Sequence, residues 1–512
     1  MASLIIGIDL GTTTTVVSRI NEAGKPELIP NWDSQPFTHS AIWFSKDSPL
    51  KPIIGASARE VAGVEEGAFK EYKRDMGTDR IYQAHGVGHS PTELSALMLR
   101  KQLEHIENAF GQKVDMVVIT TPANFLNEAR AATIAAAKAA GFPEPITTID
   151  EPTAAALFYA DSEIIPLNGY YLVYDFGGGT LDVTVLEAKG KDIKVKYSLG
   201  VAQLGGKDFD EKLRNLIGQK FKAKTGQAMD LVDTSFTDFS AEKVKHRLTE
   251  AEKHDFKINS MTHGQVAISI TRTEFEVEIS ALITQAEFCL EGSLDKAGLK
   301  FSDIKGIYMA GGTSKIPSVQ RSVERLSGIK PKIRQPEQSI SLGAALYAAY
   351  KLGVRKPQAL SPEVRANVGA IKVQDAVQYF LGTLANRTGT DGTKTLSNSI
   401  ILRKGDPLPA KQTKSYYVMR DGQPVISIEV TQCAYETDDK DEVTVLGEDE
   451  DQLLTLGPGA KQGDEIQVTF EIDENGAFKG HFKDIRSGNT SIIALNFAAT
   501  GGEKPDIDDF LV

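Results

Sequence analysis

Cys289 and Cys433 are the only cysteines among 512 residues, too few for a disulfide framework or a Cys-rich metal site. Long apolar runs are also missing. No window approaches the ~18 apolar residues that a membrane-spanning helix needs, so no membrane role is expected. The start, MASLIIGIDLGTT, lacks a basic segment, and its apolar run of about five residues is short of a signal-peptide core. A cytoplasmic location is the expectation. Positive charge is in deficit, with 57 Lys+Arg against 69 Asp+Glu for a net −12. That balance argues against a nucleic-acid binder that neutralises phosphates. No GxxxxGK[ST], HExxH or GxSxG occurs, which sets aside P-loop, zincin and Ser-hydrolase chemistry.

What is present is a soluble-protein composition, 41% hydrophobic and 25% charged, long enough for several domains. Two β-branched runs end in similar turns: LIIGIDLGTTTTVVSRI at 4–20 and YYLVYDFGGGTLDVTV at 170–185. Each reads as strand, Asp, Gly-rich bend and returning strand. Asp9 and Asp175 lie 166 positions apart, as an internal duplication with one copy per lobe would place them. Residues 126–141, Ala-rich and closed by Gly, predict a helix. Further helices are expected over 241–257, 318–326 and 338–351, with a third Gly turn in MAGGTSKIP at 309–317.

After Leu352 the composition shifts. Residues 353–375 read as a polar linker, and 376–499 as short strands separated by turns such as Asp421-Gly422 and Asn475-Gly476, the pattern of a β-sandwich. Tyr435 to Asp451 carries nine acids and one Lys and reads as a solvated loop. Residues 500–512 are expected to be a disordered acidic tail. His85 and His89 sit in a Gly-rich stretch without metal spacing and read as solvated.

A carboxylate at a strand end beside a Gly-rich bend suits a nucleoside triphosphate with a hard cation. Tight Gly turns let backbone N–H groups approach phosphate oxygens, and Thr hydroxyls add donors. One such turn is usually structural; two facing one cleft would clamp phosphates from both sides.

Five motifs carry a resemblance: IGIDLGTT, DEPTAAALFYA, VYDFGGGTLDVTV, LGGKDFDEKL and MAGGTSKIP. In this order they resemble the 70-kDa heat-shock chaperone family, strongly over 4–352 and more loosely to about 499. The resemblance implies an α/β actin-like two-lobed ATPase domain (1–352), followed by an all-β sandwich. It implies ATP/ADP, Mg²⁺ and K⁺ as cofactors. Lys73, Glu151, Asp175, Asp182 and Thr180 would be catalytic, with Asp9, Glu151 and Asp175 placing Mg²⁺ largely through water. Asp9, Gly11, Thr12, Thr13 and Thr14 would form one phosphate loop, and Gly177, Gly178 and Gly179 the other. Gly205, Gly206, Glu252, Gly311, Gly312 and Lys315 would complete the ATP site. Pro122, Arg130 and Asp375 would relay nucleotide state, and Tyr379, Phe380 and Leu381 would line a peptide pocket.

The chain also departs from that family. Lys315 replaces an Arg that stacks on the base, and Asp255 stands where a Lys is usual, so weaker ATP binding is expected. IKVQD at 371–375 dilutes an apolar linker with Lys372 and Gln374. Thr147 and Asp150 replace an Arg and an Asn that meet J-domain cochaperones, so that partner and an exchange factor are doubtful. The chain stops at Val512 where family members continue into a helical lid. The best reading is an ATP-dependent, lidless chaperone for unfolded polypeptide. A nucleotide-bound scaffold for one dedicated protein is the second, and a small-metabolite kinase a remote third.

Overall fold

The computed structural model describes residues 3–164, 166–388, 394–446, 453–473, 477–496 and 505–512. Two similar sheets organise the first part. In one, Ile5–Leu10 pairs antiparallel with Thr14–Ile20 and parallel with Met116–Thr121. In the other, Asn168–Phe176 pairs antiparallel with Leu181–Lys189 and parallel with Ile304–Ala310. The two neighbourhoods repeat, as a duplication predicts, and put Asp9 and Asp175 at equivalent strand ends. Ile5–Leu10 is buried throughout, because helices cover the sheet and its strands read as continuous apolar runs.

Helices Glu151–Ser162 and Ser339–Arg355 pack on each other between the sheets. Their small residues have a direct cause. A Cβ on Gly343 would lie 1.7 Å from the Ala154 carbonyl oxygen, and one on Gly7 2.1 Å from the Ala345 nitrogen. The Ala-rich segment forms Asn127–Ala140 and stops at Gly141, whose φ of 98° is one that Gly adopts freely. Pro317–Ser327 is likewise helical.

Three expectations need correction here. The helix read over 241–257 spans only Asp238–Glu250; Lys253–Ser260 is a strand paired with Gly264–Thr271. The alternation of His254, Phe256 and Ile258 marks that strand. Residues 353–375 are not a free linker. Ser339–Arg355 continues past Leu352, helix Pro362–Val368 buries Val364 and Val368, and Lys372–Gln374 adds parallel to Asp192–Val201. Ile371 is buried and Val373 packs on the same core, while Lys372 faces solvent. The supposed dilution is therefore the period of a half-buried edge strand. Lastly, residues 505–512 are packed rather than disordered: Ile507 is 1% exposed, inside the first lobe's core cluster. Residues 500–504 lie outside the described residues, as does Asn475-Gly476.

From Phe380 onward two four-stranded sheets enclose one apolar core. This part sits on the first. Gln432 donates to both Glu128 carboxylate oxygens at 2.8 Å, and Leu126 packs against the sandwich core. Gly405 abuts Tyr197, and Lys404 lies 5.7 Å over its ring. His89 is also not solvated. It stacks on Phe44 at 4.1 Å and bonds Glu93 at 2.7 Å.

Candidate active site

The Gly-rich bends meet across a cavity of about 260 Å³. Its walls include Asp9, Gly11, Thr12, Thr13, Thr14, Lys73, Glu151, Asp175, Gly177, Gly178, Gly179, Thr180, Gly206, Gly311 and Gly312. The approach is close enough to require glycine. A Cβ on Gly178 would lie 2.3 Å from Thr13 Oγ1, and one on Gly179 2.8 Å from Thr12. Gly205 stands behind the second bend, its would-be Cβ 2.5 Å from the Gly179 nitrogen. Gly311 has φ +77°, and a Cβ there would lie 2.3 Å from the Phe176 carbonyl oxygen. Roomier clefts lie along the sandwich, about 1180 Å³, and beside Phe236 and Phe256, about 940 Å³. Neither gathers the buried carboxylates.

At the floor, Lys73 Nζ donates to Glu151 Oε1 at 2.6 Å, and both side chains are under a tenth exposed. Lys73 sits in the short 3-10 turn Tyr72–Asp75, and Glu151 is the first residue of its helix. Asp9 accepts from Thr120 Oγ1 at 3.1 Å. Burial, reinforced by Glu151, pushes the Asp9 carboxyl up to about 7. Asp175 is also raised by burial and by Glu151. Asp182, behind the cavity wall, is pushed up to about 8 by burial, and neither of its oxygens has a hydrogen-bond partner among the described residues. Four carboxylates thus share Lys73, with Lys404 also acting on Asp182. That is a site built for additional positive charge. Among the described residues no three His, Cys, Asp or Glu converge as direct ligands of one ion. Carboxylates acting with water and phosphate oxygens are how Mg²⁺ is usually held, and the oxygen-only donor set fits it.

Two sequence-predicted residues stand elsewhere. Glu252 is exposed at the start of the strand hairpin, because the helix ends at Glu250. Lys315 is exposed and pairs at 2.7 Å with Glu337, which does face the cavity. The positions at Glu252 and Asp255 are replaced by helix Asp238–Glu250, which brings Glu242, Lys245, His246 and Thr249 to the wall. The argument from a Lys-to-Asp reversal falls with that shift. Lys245 donates to Asp210 Oδ2 at 2.9 Å and to the Gly206 carbonyl at 3.0 Å. A signal for it was present: Ala241, Lys245 and Leu248 fall on one buried helix face.

Arg74 and Arg59 were also missed. Arg74 donates to the Gly179 carbonyl. Arg59 pairs with Glu242 at 2.8 Å, and Lys207 with Glu71 at 3.1 Å, so charged clasps join the two sides of the cleft.

The relay residues form a second cluster. Arg130 donates to Asp150 Oδ1 at 2.6 Å, Thr121 Oγ1 at 3.0 Å and the Pro122 carbonyl at 3.3 Å. Asp375 Oδ1 is buried without a hydrogen-bond partner among the described residues, and burial with Asp150 pushes that carboxyl up to about 7. Asp150 is itself buried against Arg130, and Thr147 contacts Arg355. Tyr379, Phe380 and Leu381 do not line the sandwich cleft. All three are at most 6% exposed, and Tyr379 and Leu381 point into the sandwich core.

Duplicated sheets, facing Gly-rich bends and a carboxylate–lysine floor define an α/β protein with a cleft between two similar sheets, followed by a β-sandwich. The family profile described as Hsp70 protein matches residues 5–511. The chain belongs to the Hsp70 family, and is thus of the chaperone type whose members bind ATP and hydrolyse it. No helix among the described residues is long and apolar enough to cross a membrane.

Proposed function

We propose that this chain is an ATP-hydrolysing chaperone in which turnover in the cleft alters the hold of the sandwich on extended polypeptide. The observation that carries this reading is the buried Lys73–Glu151 pair among Asp9, Asp175 and Asp182, the last without a hydrogen-bond partner among the described residues. Hydrolysis of a γ-phosphate needs charge neutralisation and an aligned water more than covalent chemistry. Lys73 and the amides of the two bends supply positive potential. Glu151, Asp182 and the Thr180 hydroxyl orient water. Mg²⁺, when bound, would neutralise phosphate charge, with Asp9, Asp175 and Glu151 holding it through water; K⁺ is proposed beside Asp182. Gly206, Lys245, Gly311 and Gly312 would flank the nucleoside.

Coupling runs through Lys404, which the sandwich buries near Asp182. Burial lowers its pKa, and Asp182 opposes that shift. Charge added in the cleft therefore changes the field at a docked sandwich residue. Polypeptide would be met at the open cleft beside 394–399 and 414–419 by strand-like contacts. The cytoplasm is the proposed location. J-domain contact through Asp150 is not supported, because that carboxylate is already committed to Arg130. An exchange factor remains a proposed partner with no assigned surface.

The test is single-turnover ATP hydrolysis with Mg²⁺ and K⁺, comparing wild type with Lys73→Ala, with and without an apolar peptide. Turnover that the variant loses and the peptide changes is expected. ATP binding without turnover or peptide response would refute the cycle and favour the scaffold.

A further inference from the structure

Pro505–Val512 returns from the sandwich to the first lobe. Ile507 is 1% exposed, and Phe510 and Val512 pack on the same core. Phe510 meets Phe44 edge-on at 5.8 Å and His89 at 6.0 Å. Arg100 donates to the Ile507 carbonyl at 2.6 Å and to Asp508 Oδ1 at 2.9 Å, and Leu511 N–H to the Leu50 carbonyl at 2.8 Å. Asp506, Asp509 and Leu511 face solvent. The segment thus binds as a linear peptide does, with spaced apolar anchors, one clamped acid and one backbone bond across.

Its position gives this contact a consequence. The sandwich is fastened at its beginning to the second lobe through Lys372–Gln374 and at its end to the first lobe through Ile507–Val512. Eight residues, 497–504, separate the end of its last strand from Pro505. At about 3.5 Å per residue they span roughly 30 Å at most. The sandwich can travel no further from the first lobe until the segment lets go.

We propose that the groove formed by Leu50, Phe44, His89 and Arg100 is a peptide-binding site, occupied in cis by the chain's own Ile507–Val512, and that this contact is a releasable latch on sandwich movement. Its anchors belong to no helix or strand, so their release breaks no sheet pairing in either domain. A tethered segment competes at an effective concentration on the order of millimolar, so an added copy of the peptide meets an occupied groove.

The full-length chain tests this with a fluorescent peptide of sequence PDIDDFLV, read by anisotropy. An Ile507→Asp/Phe510→Asp variant, its own latch disabled, is expected to bind the peptide at least tenfold more tightly than wild type. Adding Arg100→Ala to that variant is expected to weaken binding again by tenfold or more. Equal binding by wild type and the latch variant, or binding by neither, would overturn the proposal. A latch variant that does not fold would also overturn it, making the segment ordinary core. None of these readouts depends on ATP turnover, so the latch and the proposed cycle fail separately.

Discussion

Replacing Lys73 by Met keeps the length of the side chain and removes its charge. The ammonium lies 2.6 Å from Glu151 with both groups buried. At an effective dielectric of about 20, that separation corresponds to roughly 6 kcal/mol of attraction. Relief of the lysine's own desolvation offsets part of it, and breaking buried pairs in general costs about 3–5 kcal/mol. The loss depends on pH with a definite sign. Asp9 and Asp182 bind protons more tightly when folded, at about 7 and about 8, than in the unfolded chain, at about 4. Folding stability therefore falls as pH rises through that window and levels off above it. Lys73 holds both carboxyls lower than burial alone would. Without it the fall is steeper and extends to higher pH. The deficit of Lys73→Met in EDTA, measured by thermal unfolding against wild type, should be several degrees larger at pH 8 than at pH 5. Equal deficits at the two pH values, or none, would refute the account of a carboxylate cluster restrained by Lys73. Loss of hydrolysis without the pH-dependent deficit would confine Lys73 to chemistry.

Gly343→Ala puts a methyl against the Ala154 carbonyl; overpacking of this kind costs about 1–3 kcal/mol or more, and a lower midpoint of the first domain's unfolding in urea should show it. Asp375 is raised to about 7 when docked among Asp150, Arg130 and Lys351 and titrates near 4 when free. Docking should weaken as pH rises between those values, by at most about 1.4 kcal/mol per unit, and hydrogen exchange at Lys372–Gln374 should lose that slope in Asp375→Asn.

Much of the first domain was legible because its signals are local. Asp9 and Asp175 sit at the ends of apolar strands, and their Gly bends follow directly, so spacing alone suggested a shared cleft. Lys73 carried no such signal: a lysine in FKEYKRDMG looks like any surface lysine. Only the family resemblance singled it out, and burial against Glu151 depends on a fold that brings together residues 78 positions apart. The misplacement of Glu252 has a similar source. Charged residues run on from Asp238 to Lys257, and composition does not mark where helix yields to strand. The alternation at His254, Phe256 and Ile258 does, but it is short and begins within one turn of the helix end.

The region after Leu352 was misread for a different physical reason. Polar content was taken as freedom, yet an edge strand needs only every second residue apolar, and Ile371 and Val373 supply that. The same holds at Ile507, Phe510 and Val512, whose intervening aspartates mask three anchors. In both segments the partner is distant in sequence, so neither amphipathic pattern has a visible reason until the lobes are in place. The two segments also hold the sandwich from opposite ends, one on each lobe. In the proposed cycle, a relative motion of the lobes would be felt by the sandwich at these two attachments. Together with Lys404, that shared geometry is the proposed route from Asp9 and Asp175 to a domain that contributes none of the described cleft-wall residues.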